Sequence, residues 1–178
     1  LASTKPFGFK EYRPGPGIGG HCIPIDPFYL QWKYKKFNSL SYLIDASKKA
    51  EIRNRENIIN KLSNHINKNC NDPSEILYIG LSYKPNVGDV RSSVAYEIAL
   101  EMNKNFSGIN FYDPLVSAND IEGLKLINNI NDSLDGISTI VIMVNHEVID
   151  FESIINGVDY IFDSQNIANK LNKKAVLI

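Results

Sequence analysis

Glu75-Ile76-Leu77-Tyr78-Ile79-Gly80-Leu81-Ser82-Tyr83-Lys84-Pro85 is the stretch at which the pattern of the chain changes. From here on, short apolar runs return between loops and helix-length segments. After Ile76 to Ile79 come Val94 to Met102, Ile109 to Tyr112 and a weaker Leu124 to Ile127, then Ile140 to Val144, Tyr160 to Phe162 and Val176 to Ile178. Short apolar runs separated by helices predict strands buried on both sides. The expected fold class is therefore α/β, a Rossmann-like parallel sheet with helices on both faces. Ligands of such sheets sit at the carboxyl ends of the strands, and Lys84 to Arg91 lies just after the first one.

Upstream, Asn69-Cys70-Asn71-Asp72-Pro73 combines turn formers with a proline and predicts a boundary, dividing the chain into 1–72 and 73–178. A long helix is expected from about Ser41 to Lys68. Leu43, Ala46 and Ala50, then Ile59, Leu62 and Ile66, give it an apolar stripe, interrupted by the polar Arg53 to Asn57. Residues 28–37 read as a shorter helix. Asp26-Pro27 ahead of it has the form of an N-cap followed by proline at the first helical position.

Further upstream stands Pro14-Gly15-Pro16-Gly17-Ile18-Gly19-Gly20-His21-Cys22-Ile23-Pro24-Ile25-Asp26-Pro27. Its glycines allow close approach and its prolines stiffen the flanks, as suits an active-site loop that presents Cys22. The formal GxGxxG within it is no dinucleotide fingerprint, because Pro16 interrupts it, no strand pattern precedes it and Pro24 and Pro27 follow it. A lone cysteine is most often an inert small hydrophobe, but here the loop exposes it. His21 is a tempting base beside Cys22, yet neighbours in an extended loop point in opposite directions. The aromatic and basic approach, Phe7 to Arg13, either packs as an entry segment or brings Arg13 to a diphosphate.

The glycine-cysteine stretch with its following Phe28-Tyr29-Leu30, and the second block Gly80 to Ser93, resemble the nucleotide-sugar dehydrogenases of the UDP-glucose/GDP-mannose dehydrogenase family. These enzymes use NAD to oxidise C6 of a UDP- or GDP-sugar to a carboxylate. The wording is most similar to the UDP-N-acetylhexosamine branch, with UDP-glucose as the alternative substrate. The resemblance implies that Cys22 is the nucleophile, carrying a thiohemiacetal and then a thioester, and that Asp26 assists with water or a proton. It implies substrate contacts from Gly17, Gly19, Gly20, Lys84 and Arg91 beside Arg13, with Asp89 and Arg91 paired within their loop. It also implies a homodimer built through the long helix, the alternative for that helix being a spacer with one buried face. The family's NAD-binding domain is expected upstream of this chain, so NAD would be bound mainly outside it and the fragment alone would be inactive. A non-catalytic UDP-sugar-binding and dimerisation module is the competing reading, and a redox-sensing thiol is a third.

Departures from the family wording are also visible. Ser92 stands where many relatives have Glu, an expected change in helix capping, and Gln165 in Asp163-Ser164-Gln165-Asn166 replaces an arginine. Asp113 resembles a ribose-binding acid, but without a glycine fingerprint in the first turn it assigns no NAD here. His146-Glu147 reads as a solvated loop that could line the cleft.

The 178 residues, 43% of them hydrophobic, can bury a core, and a net charge of −1 gives no electrostatic reason to expect nucleic acid. No apolar run reaches bilayer length, no membrane partner is expected, and no metal is assigned. Two cysteines, Cys22 and Cys70, are too few for a disulfide framework, which points to a reducing cytoplasm.

Overall fold

The computed structural model describes residues 4–9, 14–37, 39, 41–130 and 133–178. A helix α1 (Asp26–Lys35) and a long helix α2 (Tyr42–Asn69) lead into β1 (Ile76–Ile79), α3 (Val94–Asn105), β2 (Asn110–Tyr112) and β3 (Thr139–Ile142). The one-turn helix α4 (Phe151–Ile154), β4 (Tyr160–Asp163), the one-turn helix α5 (Ile167–Lys170) and β5 (Val176–Leu177) complete the order.

The strands form a five-stranded sheet in the order β2-β1-β3-β4-β5, and every pairing is parallel. Alternation along β1 sorts the core. Ile76 and Tyr78 point to the face covered by α2 and α3, with Ile58, Leu62, Ile66, Ile98 and Met102. Leu77 and Ile79 point to the opposite face, with Ile140, Ile142, Ile154, Ile161 and Ile167. Tyr78 is buried whole and remains satisfied because its hydroxyl donates to the Ala95 carbonyl at 2.6 Å. Burial pushes that hydroxyl's pKa well up. The α/β sheet with helices on both faces is thus as expected.

The details differ in places. Helix α1 begins at Asp26, with Ile25 as an N-cap that makes no side-chain bond, so Asp26 does not cap it. Pro27 in the first turn lacks only an N–H that would have no intrahelical partner there. The expected stripe of α2 is buried only in its second half, through Ile58, Leu62, His65 and Ile66, whereas Leu43, Ala46 and Ala50 are exposed. The sheet extends far enough to cover only the later turns. Leu124 to Ile127 forms no strand; it touches the sheet through one bridge, Phe111 to Leu126. Helix α3 is capped by Ser93, whose Oγ accepts from the Tyr96 N–H and donates to the Leu81 carbonyl, so Ser92 is not the capping residue. No helix among the described residues is long and apolar enough to cross a membrane.

Candidate functional site

The glycine loop lies directly on the loop that follows β1. A β-carbon added at Gly19 would stand 2.6 Å from the Tyr83 β-carbon and 2.9 Å from the Ser92 carbonyl oxygen, and one at Gly17 would stand 2.7 Å from a Val94 methyl. Gly20 is buried, with φ +93, and faces the Tyr83 ring. Only residues without a side chain permit this contact. Two motifs some sixty residues apart in sequence are therefore one surface, joined at Tyr83.

Helix α2 fixes the loop from the other side. Glu51 Oε1 accepts the Ile18 N–H at 3.1 Å, and Asn54 Nδ2 donates to the Pro16 carbonyl at 3.0 Å. One helical turn separates Glu51 from Asn54, so both side chains leave the same face of α2. Arg55 pairs with Glu97 of α3, and Gln31 of α1 bonds Asp45 of α2.

Past Gly20 the chain turns. The Cys22 carbonyl accepts the Ile25 N–H at 3.1 Å and the Asp26 N–H at 2.8 Å, which starts α1 and holds the cysteine at its entrance. Cys22 is exposed, as the glycine loop predicts, and Asp26 lies exposed in the first turn of α1. His21 does not point away from it. Because the segment is a turn and not extended, His21 Nδ1 comes within 3.8 Å of Cys22 Sγ. Beside this corner, Pro24, Ile25, Phe28, Tyr29 and Trp32 line an apolar groove of about 400 Å³.

On the other loop Lys84 is exposed, its Nζ 5.3 Å from the centre of the Tyr83 ring. Asp89 and Arg91 form the expected pair, with Nη2 to Oδ2 at 2.6 Å. The Arg91 side chain and then its backbone N–H hold the Asp89 carboxyl down at about 2. Arg91 is thereby oriented by its neighbour, with most of its side chain in solvent. Gln165 sits across the sheet end, where Nε2 donates to the Met143 carbonyl at 2.9 Å and approaches Gly15. It braces backbone with no charge to offer. Arg13 lies outside the described residues.

Asp113 is not available to a ribose. Oδ2 accepts the Leu81 and Ser82 N–H groups, and Oδ1 those of Leu115 and Val116. Burial raises its pKa, but the bonds from His146, Leu81 and Leu115 outweigh that and hold it below the ordinary range. His146 is fully buried against it, which corrects the solvated-loop reading. With Asp113 occupied, no glycine fingerprint after β1 and the glycine loop folded onto Tyr83, the described residues do not fit a dinucleotide.

The sequence singled out Cys22, Asp26, the glycines, Lys84 and Arg91. It missed Tyr83 as the meeting point, Glu51 and Asn54 as the clamp and His146 as a buried brace. Glu51 and Asn54 are three apart on a helix, a signal too common to be read without seeing the loop above them.

A sequence model of the UDP-glucose/GDP-mannose dehydrogenase family, UDP binding domain, matches residues 77–170, and the model of the family's central domain matches residues 1–53. A UDP-N-acetyl-D-mannosamine dehydrogenase of Methanocaldococcus jannaschii is 29% identical over 93% of this chain and 34% of its own length. A UDP-N-acetyl-D-glucosamine 6-dehydrogenase of Pseudomonas aeruginosa is 31% identical over 67% of this chain and 28% of its own. The solved structure of a UDP-D-ManNAc dehydrogenase from Pyrococcus horikoshii superposes with a TM-score of 0.73 at 28% identity, covering 99% of this chain and 42% of the other. The chain spans about a third of the length of the curated relatives it matches.

Proposed function

Because this chain belongs to the UDP-glucose/GDP-mannose dehydrogenase family, we propose that it supplies the nucleophile and the nucleotide-sugar half of a nucleotide-sugar 6-dehydrogenase. The favoured substrate class is a UDP-N-acetylhexosamine, with UDP-glucose as the alternative. The observation that carries the reading is the seating of the glycine loop, with Cys22 at its exposed end, on Tyr83 beside Lys84.

In this reading Lys84 and the backbone N–H groups of Gly17, Gly19 and Gly20 face the diphosphate, with Arg91 and Arg13 adding positive charge. The Cys22 sulfur adds to the C6 aldehyde carbon; the S–C bond forms, the carbonyl π pair moves to oxygen and the proton given up by the thiol ends on that oxygen, giving a thiohemiacetal. Removal of hydride is the chemistry that NAD supplies, and NAD would be held by parts of the whole enzyme beyond these residues. Water then attacks the thioester carbon, the C–S bond breaks and the thiolate leaves, with Asp26 orienting that water or taking its proton. The homodimer would form through α2.

A second reading is a non-catalytic UDP-sugar-binding and dimerisation module, which the exposed Tyr42 and Leu43 at the start of α2 favour. Calorimetric titration of this chain with UDP, UDP-glucose, UDP-N-acetylglucosamine and UDP-N-acetylmannosamine tests what the two share. Binding that weakens about tenfold or more in Lys84→Ala supports the nucleotide-sugar half. Affinity indifferent to Lys84 overturns its assignment. Alkylation of Cys22 by a C6-electrophilic UDP-sugar, blocked by excess UDP, would favour the enzyme over the module.

A further inference from the structure

Behind the Lys84 loop lies a buried polar cluster that the chemistry above does not use. His146 follows β3, is fully buried and meets three groups. Its Nε2 lies 3.2 Å from Asp113 Oδ2 and 3.2 Å from Ser82 Oγ, while its Nδ1 lies 3.0 Å from the Asn86 backbone nitrogen. A backbone N–H can only donate, so Nδ1 offers a lone pair and the ring proton sits on Nε2. Ser82 Oγ donates its own proton to the Lys84 carbonyl at 3.0 Å and so receives from Nε2.

These contacts fasten the backbone of the loop at several points. Asn86 has φ 62, in the left-handed region, which asparagine enters more readily than most residues but less readily than glycine. Its amide N–H goes to His146 and its side-chain Oδ1 accepts the Glu147 N–H at 2.9 Å. The loop from Ser82 to Asn86 is thus fastened at the Lys84 carbonyl, the Asn86 amide and the Asn86 side chain. Asp113 by contrast already has four backbone donors. If the ring is replaced the carboxylate keeps those four donors, whereas the Asn86 N–H loses its acceptor.

We propose that His146 is a positioning residue for the nucleotide site, its Nδ1 lone pair fixing the Asn86 amide so that the loop presents Lys84 to a nucleoside diphosphate. The inference rests on the reading of Lys84 given above. Two half-replacements separate the functions of the ring. His146→Asn places an amide oxygen where Nδ1 stands and gives up Nε2, whereas His146→Gln keeps a donor near Nε2 and gives up the acceptor.

The expected result is that His146→Asn binds UDP within about threefold of the unaltered chain, while His146→Gln binds about tenfold or more weakly. Amide exchange at Asn86 should accelerate by a comparable factor only in His146→Gln. Urea unfolding of both variants separates this contrast from a general loss of fold. Equal UDP affinity and equal Asn86 protection in the two variants would overturn the proposal. Absence of UDP binding by the unaltered chain would sink the reading of Lys84, and the exchange contrast would then decide the role of His146 by itself.

Discussion

A β-carbon at Gly19 would lie 2.6 Å from one on Tyr83 and 2.9 Å from a backbone carbonyl, so Gly19→Ala must lift the glycine loop or turn Tyr83 aside. Either movement separates the Cys22 loop from the Lys84 loop. The glycine loop lies outside both core clusters, so the domain should stay folded while UDP affinity, measured by calorimetry, falls about tenfold. Undiminished affinity would mean that the two loops do not build the site together. At this scale the sequence was legible where a residue's neighbours in the chain already constrain it. Cys22 is exposed because glycines and prolines surround it, and the Asp89 to Arg91 pair forms across two residues. His146 was not legible, since its burial depends on Ser82 and Asn86 of the loop after β1 and on Asp113 after β2, all distant from it in the chain. His21 was misjudged because a turn replaced the extended loop that alternation assumes.

Helix α2 has two different halves. Its later turns enter the core, where His65 stacks edge-on against Tyr160 and Phe162 at 4.5 and 4.8 Å, with Nε2 at 3.1 Å from Thr139 Oγ1 and Nδ1 at 3.0 Å from the Asn69 amide nitrogen. Burial lowers the His65 pKa below its ordinary 6.5. A depressed histidine binds fewer protons folded than unfolded, so its contribution is complete above about pH 6.5 and is lost as pH falls through the lowered value. The urea midpoint should drop between about pH 7.5 and about pH 5.5, and the drop should shrink in His65→Gln. An unchanged slope would show that His65 does not report docking of α2. In the middle of the helix, Glu51→Ala removes the acceptor for the Ile18 N–H, so exchange at that amide should quicken by roughly five- to tenfold with little loss of global stability. Equal exchange would mean the clamp does not order the loop. Periodicity gave the helix and its length but not which half is covered, because Leu43 and Leu62 lie on similar stripes and only the extent of the sheet distinguishes them.

At the scale of the whole molecule, several large apolar side chains around α1 and the start of α2 stay uncovered. Tyr29, Trp32 and Phe37 around α1 and Tyr42 and Leu43 at the start of α2 are exposed, the last two by 79% and 78%. Exposed apolar side chains of this kind are what an interface with another protein surface would cover. In the proposed homodimer the exposed half of α2 meets its counterpart. Leu43→Asp tests this without touching the core, because a side chain so exposed buries almost nothing within one chain, and the urea midpoint should move by no more than about 0.5 kcal/mol in free-energy terms. A charge placed in an interface between two copies has no such freedom, since it must be desolvated or repel its symmetry mate. Sedimentation velocity should therefore find the unaltered chain as a dimer and Leu43→Asp displaced to monomer at the same concentration. A monomeric unaltered chain, or a variant that dimerises equally well, would remove α2 from the interface and leave the exposed apolar end for a different partner surface.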